Sequence, residues 1–251
     1  MRTPIRRLAD HGAVHVDLID WDGRLAVVKR LVRYNPTLER RLAREAVILQ
    51  KLNHPNLLPI LAVEDGAVVY PYAPGIDLDE VLDHGALRLR RVMLIASALL
   101  DALAHAHDRG VLHHDVKPSN VRLRGRDVKL VDFGFAKDLG LSAITDAGMV
   151  LGTPQYMAPE QFRGERDDPR SDLYGVAAVA YHALAGTPPY GRDALRMLAG
   201  DASITLEPVR GEGASLFPWL ARGLSREPGR RYADARSMKA ALLEAGSGIA
   251  A

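Results

Sequence analysis

The chain has 251 residues, 47% of them hydrophobic and 25% charged, which suffices for one large domain or two small ones that share a core. Its 33 basic and 31 acidic residues give a net charge of +2, with no clustered basic face of the kind that binds nucleic acids. The absence of cysteine excludes a disulfide framework, a thiolate nucleophile and a cysteine-type zinc site.

The apolar stretches do not predict a membrane span. The first residues, MRTPIRRLAD, have no apolar run after their arginines and do not resemble a secretory signal. Asp101 interrupts one apolar stretch, and LYGVAAVAYHALAG falls short of the roughly 20 residues that a span requires. We therefore expect buried helices of a soluble, cytoplasmic protein, with no membrane segment in this chain.

The first seventy or so residues predict an antiparallel sheet with one helix. Residues 13–32 alternate between apolar and polar around Asp22-Gly23, a two-residue hairpin signal. From Pro36 the apolar residues recur at helical spacing. LLPILAVEDGAVVYPY then predicts two further strands that flank Asp65-Gly66.

The remainder is mainly helical. The boundary between the two regions is expected near Tyr72 to Gly75, as one domain of residues 1–251 with lobes at 1–73 and 74–251. Apolar periodicity predicts helices over residues 77–83, 91–108, 171–185, 192–199, 214–224 and 234–245. Short apolar runs around VLHHD, VRLRG and VKLVDFG separate the second helix from an irregular segment at 134–160.

A set of polar motifs carries the functional signal. Asp115, Lys117 and Asn120 form D-x-K-x-x-N, which alone would predict no more than a polar loop. Its meaning changes with the motifs around it, since each lies in the context that its chemistry requires. In chain order, these are Lys29 at the end of the strand LAVVK, Glu45 on the first helix, Asp132-Phe133-Gly134 after an apolar strand, and Ala158-Pro159-Glu160.

This order resembles the bacterial Hanks-type serine/threonine protein kinases over roughly residues 25–245. The most specific segments are HHDVKPSNV, VKLVDFGFAK, GTPQYMAPEQ, SDLYGVAAVAYHALAGTPPY and REPGRRYADA. The resemblance implies an α+β bilobal protein-kinase fold, with a small antiparallel β-sheet N-lobe that carries one helix and a larger, mainly α-helical C-lobe. It also implies Mg²⁺-dependent transfer of the ATP γ-phosphate to Ser or Thr hydroxyls of protein substrates.

The same resemblance assigns roles to the charged residues. Lys29 would neutralise the α- and β-phosphates, and Glu45 would hold that lysine as an ion pair. Asp132 and Asn120 would supply oxygen ligands to Mg²⁺. Asp115 would accept the proton of the substrate hydroxyl or orient that hydroxyl, while Lys117 would contact the transferring phosphate.

The segment VVYPYAPG resembles the kinase hinge. Tyr70 would be a large gatekeeper, the Pro71 carbonyl would accept from adenine N6, and the Ala73 N–H would donate to adenine N1. Val27 is implied as a further ATP-binding residue. Asp77 would meet the ribose hydroxyls, or it would equally serve as the N-cap of the following helix.

Two further features of the C-terminal region follow from the resemblance. Glu160 and Arg231 resemble the buried ion pair that ties the activation segment to the C-lobe. Asp172 resembles the acid that supports the catalytic loop, although a plain N-cap after Ser171 is an equally good local reading.

The sequence departs from the kinase pattern at three places. RRLADHGAVHV lacks the G-x-G-x-x-G loop, so Ala9, Asp10 and His11 would crowd the phosphates. Arg122 falls at the usually apolar floor of the adenine pocket, where its stem would pack while its head reached water. His114 replaces the arginine that pairs with a phosphorylated activation-loop residue, which makes this a non-RD variant in which Thr145 has a weakened anchor.

The degenerate loop keeps an alternative open, namely a pseudokinase that acts as a nucleotide-binding or scaffold module. The retained charged residues favour the active enzyme, and GTPQYMAPE disfavours a small-molecule kinase. The expected cofactors are ATP and Mg²⁺. The expected partners are protein substrates and no nucleic acid, with a homodimer left open.

Overall fold

A computed structural model describes residues 4–10, 14–32, 46, 49–64, 66–133, 143–144, 150–151 and 154–247. The chain forms two compact units. The first comprises Met1–Pro74 together with Gly134–Leu151, and the second comprises Gly75–Phe133 together with Gly152–Ala251.

The first unit is built on a five-stranded antiparallel sheet. Its strands are β1 (Pro4–Asp10), β2 (Val14–Trp21), β3 (Arg24–Leu31), β4 (Ala62–Glu64) and β5 (Ala67–Pro71), in the order β1-β2-β3-β5-β4. The predicted hairpin is confirmed, because Asp22 and Gly23 both have positive φ, at 54° and 78°. Strand β1 was not predicted.

Period-two alternation on β3 decides which side chains this sheet buries. Ala26 and Val28 lie in the apolar cluster with Ile19 of β2 and Val69 of β5. Val27 and Lys29 therefore point to the opposite face. A short two-stranded ladder of β9 (Ala143–Ile144) and β10 (Val150–Leu151) also belongs to this unit.

The helix predicted after Pro36 falls mostly outside the described residues. Ala46 and Leu49 are helical and buried, as that prediction requires. Glu45 lies among the residues that the structure does not describe.

The second unit begins with a small sheet and is otherwise helical. The sheet has the order β6-β7-β8, from β6 (Ile76–Asp77), β7 (Val121–Arg124) and β8 (Asp127–Leu130). The helices are α1 (Leu78–Leu82), α2 (Leu89–His107), α3 (Pro159–Phe162), α4 (Arg170–Ala185), α5 (Ala194–Leu198), α6 (Phe217–Gly223) and α7 (Ala235–Ser247). The six predicted helices are thus confirmed with shifted ends, whereas the short helix α3 was not predicted. A 3-10 turn at Gly211–Leu216 precedes α6.

Helix α4 forms the core of the second unit, because nearly all of its residues are buried. A glycine lets it approach the loop that follows α2. A Cβ built on Gly175 would lie 2.7 Å from the Cβ of Val116 and 2.9 Å from the Val116 carbonyl oxygen. No helix in the described part of the chain is both long enough and apolar enough to cross a bilayer.

Replacing Gly175 with Ala should destabilise the protein, although alanine is the better helix former by about 1 kcal/mol. The new methyl group would press on the backbone of Val116, so we expect a net loss of about 1–3 kcal/mol. The measurement is the urea midpoint of unfolding.

Gly229→Ala is the matched control, because a Cβ there meets nothing within 4 Å. Its midpoint should stay close to that of the wild type. A midpoint for Gly175→Ala above the wild-type value would contradict the close approach of α4 to Val116.

Candidate active site

The segment between α2 and β7 brings the three residues of D-x-K-x-x-N together. Asn120 ends a 3-10 turn, and its Nδ2 donates to the Asp115 carbonyl oxygen at 2.8 Å and to Asp115 Oδ2 at 3.1 Å. Lys117 Nζ lies 2.8 Å from the same Oδ2. The Asp115 side chain is 18% exposed. Two donors thus fix a carboxylate that remains accessible to a substrate.

Asp172 on α4 holds this segment through hydrogen bonds to its backbone. Its Oδ2 accepts from the His113 N–H at 2.8 Å and lies 2.8 Å from His107 Nε2, and its Oδ1 accepts from the His114 N–H at 2.8 Å. Burial alone would raise the pKa of Asp172, but the hydrogen bond and charge of His107, with the hydrogen bond from the His113 N–H, hold that pKa below its ordinary value. The supporting role is confirmed. The N-cap alternative is wrong, because Pro169 occupies the N-cap position of α4 and Asp172 lies within the helix.

His113 connects Asp115 to the segment that carries Asp132. The imidazole is fully buried, and burial lowers its pKa, so it is neutral. Nδ1 accepts from the Asp115 N–H at 3.3 Å, which leaves Nε2 protonated to donate to the Val131 carbonyl oxygen at 3.1 Å. Its ring also packs 4.7 Å from the ring of Phe133. One side chain therefore links both acidic segments.

The predicted pair between Glu160 and Arg231 is confirmed. Arg231 Nη1 and Nη2 donate to the two carboxylate oxygens of Glu160 at 2.5 and 2.7 Å, and Ser171 Oγ donates at 2.6 Å. Arg231 also donates to the carbonyl oxygens of Ser225 and Arg170. Burial would raise the pKa of Glu160, but Arg231 and Ser171 outweigh it and lower that pKa.

The predicted ATP-binding residues of the first unit lie on β3, on β5 and just beyond. Lys29 Nζ is 5.9 Å from the centre of the Tyr70 ring. Val27 is the cross-strand neighbour of Tyr70, Pro71 ends β5, and Ala73 follows two residues later. Because Glu45 is not among the described residues, its pairing with Lys29 stays a prediction.

Comparison with known proteins identifies the family. Residues 11–207 match the family described as "Protein kinase domain". The chain belongs to the protein kinase family. Among its relatives are the serine/threonine-protein kinase pkn3 of Myxococcus xanthus, at 37% identity, and PknB of Mycobacterium tuberculosis, at 30%. These alignments cover 87% and 90% of this chain, but 44% and 39% of the relatives, so the chain spans less than half of their length.

Solved structures confirm the bilobal kinase fold that the sequence predicted. The crystal structure of the PknI kinase domain of Mycobacterium tuberculosis matches 98% of this chain and 95% of its own, with a TM-score of 0.75 and 28% identity. Rad53 in complex with AMP-PNP matches 94% of this chain and 62% of its own, with a TM-score of 0.73. At 24% identity, the second match supports the fold alone.

At the start of the kinase's second unit, Asp77 and Arg122 form an ion pair that the sequence did not predict. They are cross-strand partners of β6 and β7, and Arg122 Nη1 lies 2.8 Å from Asp77 Oδ1. Asp77 occupies the N-cap position of α1, but its side chain makes no capping hydrogen bond to the described residues. Asp77 is therefore the N-cap residue by position, as the alternative expected, but its side chain does not cap the helix. The Arg122 head group, expected to reach water, is directed to Asp77 instead.

The arrangement of Asn120 and Asp132 suits a magnesium ion. The Val131 N–H donates to the Asn120 carbonyl oxygen at 2.9 Å, which brings the segments of the two side chains together. The Asn120 amide nitrogen faces Asp115, so its amide oxygen faces away from that carboxylate. A carboxylate and an amide oxygen are ligands that Mg²⁺ prefers, and the residues present fit the ion.

One further contact was missed by reasoning from sequence. Gln161 Nε2 on α3 donates to the His114 carbonyl oxygen at 3.0 Å, next to Asp115. Its Oε1 accepts from the Ala158 N–H at 3.1 Å. The spacing of Ala158 and Gln161 would have predicted only the second bond, which has the local geometry of a capping box.

Removing the Arg231 charge should destabilise the kinase strongly. In Arg231→Met, Glu160 would be left buried and unpaired, which costs about 3–5 kcal/mol at pH 7. The wild-type pair stabilises above the unfolded pKa of Glu160 and loses that effect as pH falls through the lowered folded pKa. An unpaired buried Glu160 takes up a proton at higher pH, so the deficit should shrink towards pH 4. Denaturant unfolding at both pH values measures it.

The neighbouring pair provides the control, because Arg230 and Glu227 are 2.9 Å apart with side chains 74% and 67% exposed. Arg230→Met should change stability little at either pH. A deficit for Arg231→Met that equals that of Arg230→Met would show that the buried pair contributes nothing.

Proposed function

We propose that this kinase domain transfers the γ-phosphate of ATP to Ser or Thr hydroxyls of protein substrates. The observation that carries the proposal is the accessible Asp115 carboxylate, fixed by Lys117 and Asn120. The relatives, which are named serine/threonine-protein kinases, support it as well. Phosphoryl transfer requires this kind of positioning more than covalent chemistry from the protein.

At the acceptor end, Asp115 orients the substrate hydroxyl or accepts its proton through the carboxylate oxygen that faces the substrate. Lys117 is close enough to Asp115 to share its charge between that carboxylate and the transferring phosphate. The buried support from Asp172 and His113 keeps the Asp115 backbone in place while the side chain works.

At the nucleotide end, Lys29 neutralises the α- and β-phosphates, and Glu45 is its proposed partner. The Pro71 carbonyl and the Ala73 N–H are proposed to bind the adenine edge, with Val27 on the sheet face that carries Lys29. Asp77 is proposed to meet the ribose hydroxyls, and it would do so while paired with Arg122.

Magnesium would be held by Asp132 and Asn120. When bound, the ion neutralises phosphate charge and orients the phosphates for in-line transfer. The chain contributes the fixed placement of these two oxygen donors, because the Val131 N–H bond to Asn120 and the His113 bond to Val131 restrain both segments.

The pseudokinase alternative rested on the degenerate glycine loop, and the hairpin geometry weakens its basis. Arg7 Nη1 lies 3.6 Å from the Asp10 carboxylate and offsets part of its charge, while Arg7 Nε contacts Asp17. His11 and Gly12 fall outside the described residues, as do Thr145 and Thr153, so weak dependence on activation-loop phosphorylation stays a prediction. A cytoplasmic location, a homodimer and the lobe boundary at residue 73 stay predictions too.

Changing either acidic residue of the proposed site should abolish transfer without unfolding the protein. Asp115→Asn and Asp132→Asn should each lower the turnover of radiolabelled ATP on a generic basic protein by orders of magnitude, since they remove charge where transfer needs it. Asp108→Asn alters an exposed ion pair with Arg236 and serves as the control. Autophosphorylation that persists undiminished in Asp115→Asn would refute the proposal.

Nucleotide affinity tests whether the phosphates are held without the glycine loop. Without the glycines, ATP should be held mainly by Lys29, the metal and the hinge. Calorimetry should then show that MgATP binds more tightly than adenosine by at least about 1.4 kcal/mol, or tenfold. Equal affinities for the two would mean that the phosphates are poorly held, and the pseudokinase would be the better description.

A further inference from the structure

The side chain of Gln161 makes two directed contacts, and only one of them stabilises its own helix. Its Oε1 accepts from the Ala158 N–H at 3.1 Å, at the start of α3. Its Nε2 donates to the His114 carbonyl oxygen at 3.0 Å, 47 residues earlier in the chain. Because the first contact fixes which way the amide points, the nitrogen is held towards His114.

The His114 carbonyl belongs to the peptide that carries the Asp115 N–H. That N–H donates to His113 Nδ1 at 3.3 Å. The peptide between His114 and Asp115 is thus held at both edges, at its oxygen by Gln161 and at its hydrogen by His113. A peptide held at both edges cannot rotate without breaking a hydrogen bond, and its orientation sets the direction of the Asp115 side chain.

The conformation of His114 makes this restraint necessary. Its φ is +63°, in the left-handed region that non-glycine residues adopt only when their surroundings enforce it. Asp172 Oδ1 holds the N–H of His114 at 2.8 Å, and Gln161 holds its carbonyl. The two side chains together enforce the backbone on both sides of the His114 Cα.

Helix α3 is itself firmly anchored. Glu160, the residue before Gln161, forms the buried pair with Arg231 and accepts from Ser171. The side chains of Glu160 and Arg231 are 1% and 0% exposed. Gln161 therefore extends from an anchored helix to His114, the residue that precedes Asp115.

We propose that Gln161 is a positioning residue for phosphoryl transfer, which holds the peptide between His114 and Asp115 so that the Asp115 carboxylate faces the acceptor hydroxyl. This rests on the proposed function, because it assigns Asp115 to the transfer step. In this chain the position before Asp115 is His114, so a fixed amide contact orients the loop where an arginine–phosphate pair would otherwise have to form.

Two variants separate positioning from simple helix capping. Gln161→Glu keeps the acceptor for Ala158 but places a carboxylate oxygen against the His114 carbonyl, and Gln161→Met removes both contacts at similar volume. We expect kcat at pH 8 to fall about tenfold in each variant, with KM for ATP changed less than twofold. Arg163→Gln is the control on the same segment, because Arg163 forms an exposed pair with Glu165.

The pH profile gives a readout that a structural role would not move. A protonated glutamate regains one O–H donor for the His114 carbonyl, and contact with that oxygen raises its pKa. The kcat of Gln161→Glu relative to wild type should therefore recover several-fold between pH 8 and pH 6. The same ratio for Gln161→Met should stay constant.

Hydrogen exchange tests the restraint without any need for activity. The Asp115 amide should exchange at least about tenfold faster in both variants at pH 8, measured by mass spectrometry on the peptide that spans residues 112–116, and at the wild-type rate in Arg163→Gln. Unchanged exchange would overturn the inference, as would faster exchange with unchanged kcat. A wild type that transfers no phosphate would refute the proposed function instead, and the exchange rates would still decide whether Gln161 holds the loop.

Discussion

The second unit of this kinase depends on one buried carboxylate. Asp172 accepts the N–H groups of His113 and His114 and contacts His107, so three donors from the end of α2 and the following loop converge on it. An unpaired charge at 2% exposure would be costly, and these bonds offset the cost while fixing the backbone before Asp115. The geometry of the site therefore begins at a residue that contacts no substrate.

Contacts that begin at Asp172 restrain the segments of both Asp115 and Asp132. His113 is held at its backbone by Asp172, and its neutral ring then connects Asp115 with Val131. Two residues of this region, His114 and Asp132, have φ near +63°. Such backbones cost about 1–3 kcal/mol each and persist only where neighbours over-determine them. The hydrogen bonds around the loop thus offset the free-energy cost of its strained backbone.

The sequence predicted those features that local pattern controls. Asp22-Gly23 predicted its hairpin because the turn chemistry is local, and every helix from α1 to α7 except α3 followed from apolar periodicity. Motif order predicted the loop around Asp115, and solved structures confirm the fold it implied. Strand β1 was not predicted because it is exposed along nearly its whole length and therefore shows no alternation of burial.

The remaining contacts depend on register and distance, which no local pattern encodes. The pair of Asp77 with Arg122 follows from the alignment of β6 with β7, and that alignment is set by the fold. Gln161 reaches His114 across 47 residues, and an isolated glutamine gives no signal of such a role. Asp172 was assigned correctly only through the family resemblance, since its local sequence fitted a helix cap equally well.

The position of α4 in the chain has a consequence for biosynthesis. His107 and Asp172 are 65 residues apart, and Glu160 and Arg231 are 71 apart, so the site's support is encoded well after its reactive residues. Contacts of such separation close late, because the intervening chain must first be ordered. A ribosome-bound chain that has emerged only as far as Asp132 contains the proposed phosphate-binding and metal-binding residues but not Asp172. The hydrogen bonds that fix the backbone before Asp115 can therefore form only once α4 has emerged.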